Sequence, residues 1–168
     1  LILLLMIGLE KLIPYRSNTA MKTTRWISNL GLAALSTLII RLLSTLPFAL
    51  LPVTFALFLQ DHHWGLFHWI NIDPLWAFFS TLLLLDLMIY GQHVLFHHIP
   101  FLWRLHRVHH TDVNLDTTSG VRFHPVEIAL SLCLKLLTIA LLGAPAAAVI
   151  TFEILLNGTA LFNHSNIK

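Results

Sequence analysis

Six histidines, His93, His97, His98, His106, His109 and His110, fall within eighteen residues of a chain that otherwise reads as membrane. They are spaced as His93-Val94-Leu95-Phe96-His97 and His106-Arg107-Val108-His109-His110. Imidazole is costly beside hydrocarbon and is also the commonest protein metal ligand. So many of them at the edge of an apolar segment point to metal binding. On a helix, His93 and His97 project from one face and can grip one ion. His106 and His110 repeat that spacing, and His109 can reach a second ion. Five imidazoles from two short segments are enough to begin a two-metal site. Asp86 lies two helical turns before His93, where a carboxylate could accept a ring N–H and fix its tautomer. Tyr90 is a further candidate neighbour. His98 reads either as a ligand or as a cap of the helix end.

The elements that must position these groups follow from the apolar runs. Of the 168 residues 57% are hydrophobic and 11% charged, against about a quarter charged in soluble domains, so lipid is the main solvent. A net charge of +2, carried by scattered basic residues, argues against nucleic acid. Cys133 is the only cysteine, which excludes an intrachain disulfide and a thiolate metal site. Residues 1–13 read as the tail of a membrane helix closed by Pro14. Residues 26–59 are too long for one straight span and contain Pro47 and Pro52, so they form a kinked span or a hairpin breaking at the prolines. Residues 60–73, with Trp64, Phe67 and Trp69 but no Lys or Arg, look interfacial. Pro74 opens the next apolar run. The last two runs, 126–142 and 144–162, are joined at Gly143-Ala144-Pro145, a helical hairpin turn.

Each arm of that hairpin rises about one hydrocarbon thickness, so His164 returns to the face left at His124. Both then share the side of the main cluster, with His164 favoured as a ligand and His124 as a ligand or supporting residue. Arg104, Arg107 and Arg122 put that side in the cytoplasm by the positive-inside rule. His62, His63 and His68 fall on the opposite side and read as headgroup contacts. Lys135 and Glu153 sit at similar depth in opposite arms and can pair; the alternative is that one faces a water-filled cavity. Glu127 suits the positive end of its helix and needs no catalytic role. No Gly-rich phosphate loop, Gly-x-Ser-x-Gly elbow or Cys-x-x-Cys motif is present, so no catalytic residue is expected beyond the metal centre, and no substrate-binding residue is assigned. Imidazole-rich sites suit iron or zinc. The expected fold is an all-α integral membrane bundle.

The stretch from Asp86 through Tyr90, His93 and His97 to Trp103, Arg104, His106, His109, His110 and Asp112 resembles the fatty acid hydroxylase/sterol desaturase superfamily. Asp116, Arg122, His124, Pro125 and Glu127 continue the match, as does the segment Phe162-Asn163-His164-Ser165-Asn166. The likeness is strongest over 84–127 and 162–166, within a single domain taken to fill residues 1–168. The resemblance implies a non-haem diiron oxidoreductase acting on a lipid, such as a fatty acyl chain or sterol, with dioxygen. It implies an electron donor of the cytochrome b5 or ferredoxin kind. Metal ligands at the matching positions are His93, His97, His106, His109 and His110, holding two Fe ions, with Zn as a substitute. Val94 stands where the family commonly has Arg. The family's last His-x-x-His-His box is expected after His164, so the chain reads as truncated at both ends. Two other classes compete: a membrane protein that transports or senses zinc, and a catalytically inactive scaffold. Transport asks for polar residues lining the spans, and only Arg41, Lys135 and Glu153 are clearly charged there.

Overall fold

A computed structural model describes residues 2–17, 22–43 and 51–168. Among them the fold is all-helical: α1 (Ile2–Leu12), α2 (Lys22–Leu43), α3 (Pro52–Asp61), α4 (Leu66–Trp69), α5 (Pro74–His98), α6 (Pro100–His110), a 3-10 turn (Thr117–Val121), α7 (Pro125–Leu142) and α8 (Ala146–His164). The stretch 26–59 is therefore two helices. Pro52 opens the second of them, because a residue without an N–H fits a first turn; Pro47 lies outside the described residues.

Among the described residues three helices, α5, α7 and α8, are long and apolar enough to cross a membrane. At 1.5 Å per residue α7 and α8 rise about 27 and 28 Å, close to the hydrocarbon thickness. Their outward faces are bare apolar surface: Leu83, Leu87, Leu137, Leu141, Ile154 and Leu155 are all more than half exposed. A water-soluble fold would bury such faces; in lipid they are satisfied.

Local chemistry sets the helix ends. The Asp73 side chain accepts from the Leu75 N–H at 2.8 Å, with Pro74 next in line. A single extended residue, Ile99 (φ −92°, ψ 117°), separates α5 from α6, and Pro100 forces it out of the helical region. The chain consequently folds back on itself, and α6 packs against α5. Gly143 ends α7 in the left-handed conformation (φ 67°), and the hairpin turn expected at 143–145 is present.

The two ends of the bundle are built differently. At the turn end, a buried core joins Ala56, Leu59, Phe67, Ile139, Val149 and Phe152. There Gly65 and Gly143 meet backbone to backbone: a Cβ on Gly65 would lie 2.2 Å from the Gly143 nitrogen. The Ala146 N–H also donates to Gln60 Oε1 at 3.0 Å. Residues 60–69 thus sit at the hairpin turn, away from the end that carries His93 to His110.

At that second end the packing is polar. Arg25 makes a two-point contact with Asp112 (2.6 and 3.1 Å), reaches Asp116 at 3.1 Å, and donates to the Asn114 carbonyl. Asn29 donates to Asp112 and Thr118, and the Ser119 hydroxyl donates to Asp112 at 2.6 Å. Burial pushes the Asp112 carboxyl up, but the hydrogen bonds from Ser119, Arg25 and Asn29, with the Arg25 charge, outweigh it and hold it below the ordinary range. From α1, the buried Glu10 accepts from Thr117 N at 2.7 Å and Asn166 N at 2.6 Å. These bonds brace residues 111–121 against α1 and α2.

Candidate metal centre

The return of α6 over α5 lays two helical His pairs against each other. His93 and His97 come from α5, with ring centroids 4.7 Å apart; His106 lies 4.7 Å from His93 and 4.8 Å from His97. His110, one turn beyond His106, stands 5.0 Å from His97. Ligand nitrogens of His93, His97 and His106 all lie within 4.8 Å of one another, close enough to hold one ion. His109 turns away toward α8, where His164 meets it at 4.7 Å between ring centroids. The hairpin does what its length predicts: it delivers His164 to the cluster across 55 residues of sequence.

Each of three rings is fixed by an acceptor from another part of the chain or from its own helix. His106 Nδ1–H donates to Glu127 Oε1 at 2.6 Å, with His106 only 1% exposed. His109 Nδ1–H donates to the Arg122 carbonyl at 3.2 Å, and His164 Nδ1–H to the Ala160 carbonyl at 2.7 Å. Arg122 is itself held by Val108, Ser28, Asn29 and Thr111, and Phe123 stacks on the His109 ring at 4.5 Å. With the proton fixed on Nδ1, the lone pair is on Nε2. Burial and the neighbouring His164 lower the His109 pKa to about 3. Burial and the neighbouring imidazoles also lower that of His110. Both rings are therefore neutral at physiological pH, the state in which imidazole can accept a metal.

The Nε2 atoms converge: His109 and His164 at 3.0 Å, His106 and His110 at 3.2 Å. Two lone pairs at that distance repel unless a cation or proton lies between them. Two ligands at right angles on one ion, with bonds of about 2.1 Å, stand about 3.0 Å apart. The donor set fits a metal that accepts imidazole.

Four residues considered from the sequence stand outside this convergence. Asp86 is exposed on α5; two helical turns put it about 10 Å along the axis from His93, beyond the reach of a short carboxylate. Tyr90 is 64% exposed. His98 bonds the Val94 carbonyl of its own helix. His124 caps α7, its Nδ1 accepting from Val126 N at 3.1 Å. The supporting carboxylate is instead Glu127, which the sequence explains sufficiently as a helix-terminus charge. Its placement in the first turn after Pro125, on the side to which the hairpin returns, was the available signal.

Deeper in the bundle, a cavity of about 460 Å³ opens between α5, α7 and α8. It starts at His93, His109 and His164 and reaches Lys135 and Glu153. The expected pairing of those two is present, with Lys135 Nζ 2.5 Å from Glu153 Oε1. Residues 78–168, more than half of the chain, match the family described as fatty acid hydroxylase. No curated protein and no solved structure matches the chain.

Proposed function

The chain belongs to the fatty acid hydroxylase family, and from that premise we propose that it is a membrane oxidoreductase using a pair of iron ions and dioxygen on a lipid. His93, His97, His106 and His110 gather about one ion; His109 and His164 begin the set for the other. The facing Nε2 atoms at 3.0 and 3.2 Å carry this reading. Imidazole alone suits zinc as well as iron, and the family is generally iron-dependent. Iron held there would activate dioxygen, the oxidant, a chemistry that no side chain here can supply.

The chain's own residues do the rest. Glu127 keeps the His106 proton on Nδ1, and the Arg122 carbonyl does the same for His109, so that Nε2 faces inward. Phe96 and Phe123 form part of the chamber wall beside the histidines, where they exclude water and lay an apolar chain against the centre. Arg104, Arg107 and Arg122 favour a cytoplasmic position for this face, where an electron donor of the cytochrome b5 or ferredoxin kind would have access. The chemistry of the domain then resides in 84–127 and 162–166.

Metal analysis of the full-length protein in detergent tests the reading. It expects two irons per chain and oxygen uptake that needs both a lipid and a reductant. Stoichiometric zinc with no oxygen uptake would overturn it in favour of zinc transport or sensing.

A further inference from the structure

The chamber below the histidines is not uniformly apolar. Ile89, Ile128, Leu132 and Leu156 line it, but so do Gln92, Ser131, Lys135, Glu153 and Asn157. Glu127, Ser131 and Lys135 follow one another at four-residue steps and so form one stripe of α7. Polar side chains at hydrocarbon depth are expensive and are kept where they bind something.

These groups join α5 to α7 and α7 to α8, but two observations show that part of their polarity is left over. Gln92 bonds Ser131 through one end of its amide, while its buried Oε1 has no partner. Turning the amide over would only exchange which end is orphaned. The Lys135–Glu153 pair borders the cavity, and the Glu153 side chain keeps 25% of its surface open. An ion pair serving only to fasten α7 to α8 would be packed away from open space.

We propose that the chamber takes a lipid bearing a hydroxyl or carbonyl group at its inner end, read by Gln92, Ser131 and the Lys135–Glu153 pair. A hydroxyl there donates to Gln92 Oε1 or to the Glu153 carboxylate and accepts from Lys135; a carbonyl accepts from Lys135. Ser131 lies one turn and Lys135 two turns inward of Glu127, about 6 and 12 Å along α7. The recognised group thus sits that far from the carbon presented to the histidines. This inference rests on the proposed function for the outer end of the chamber, and on the cavity alone for the inner end.

The test compares 1-dodecanol with dodecane on the full-length protein in detergent, reading both thermal stabilisation and oxygen uptake. A site built to hydrogen-bond a group discriminates strongly against a ligand lacking it. Dodecanol is therefore expected to stabilise at a concentration at least about tenfold lower than dodecane. Replacing the pair together, Lys135→Met with Glu153→Leu, leaves no uncompensated charge and should abolish that preference while dodecane binds as before. Ser131→Ala, which leaves the ion pair in place, should reduce the preference and serves if the double variant does not fold. Equal binding of the two ligands by the native protein, or a preference unchanged in the variants, would overturn the inner site. Preferential dodecanol binding without oxygen uptake would uphold the inner site and overturn the oxidase reading instead.

Discussion

Histidines gather at both ends of this bundle, and only one end organises them. At the hairpin-turn end, His62 bonds the Phe58 carbonyl of its own helix, and His63 and His68 meet edge-on at 5.9 Å. At the other end, rings from α5, α6 and α8 converge, and three have their outer nitrogens fixed by Glu127, Arg122 and Ala160. The difference is not the number of imidazoles. It lies in acceptors that fix which nitrogen is bare and where it points.

The comparison can be broken most severely at His109. His109→Ala removes one of the two converging pairs, and metal analysis should find the ion of the His109–His164 pair lost. Next in size is Arg25→Met, which strands the buried Asp112 and Asp116. Breaking such a pair costs about 3–5 kcal/mol, so thermal unfolding in detergent should shift strongly downward and metal content should fall with it. Gly65→Ala tests the opposite end, where the new methyl meets the Gly143 backbone at 2.2 Å. Strain of about 1–3 kcal/mol should lower the unfolding temperature while the metal content of the folded protein stays unchanged. Glu127→Gln should weaken metal binding by about 10–100-fold, as loss of a ligand's supporting partner generally does, measured by competition with a chelator. His63→Ala should leave metal content unchanged and alter stability by no more than about 0.5 kcal/mol. Equal metal loss in His63→Ala and His109→Ala would erase the distinction between the two ends.

Much of this arrangement was legible in the chain because span length and helical period are strong constraints. The arms either side of Gly143, 18 and 19 residues long, nearly match in length, which returns His164 to the cluster and sets Lys135 level with Glu153. The fours in His93–His97 and His106–His110 survive because both segments are helical. What was not legible depends on contacts between distant segments. Glu127 has an adequate local explanation at its helix terminus, so nothing nearby announces His106 as its partner. Arg25 and Asn29 read as ordinary polar residues before a span, yet they hold the loop 83 to 91 residues onward. Asp86 stands exposed and apart from the cluster, because a shared helical stripe gives direction without proximity.

Glu10 carries a consequence for how the molecule comes together. One carboxylate near the start of the chain receives N–H groups from residues 117 and 166, so its two partners emerge from synthesis far apart in time. The loop after α6 and the last turn of α8 dock against the same atom, and neither docking is finished without α1 already in place. Contacts of such sequence separation close late and slowly. The end of the bundle that gathers the histidines is thus expected to take its final form late.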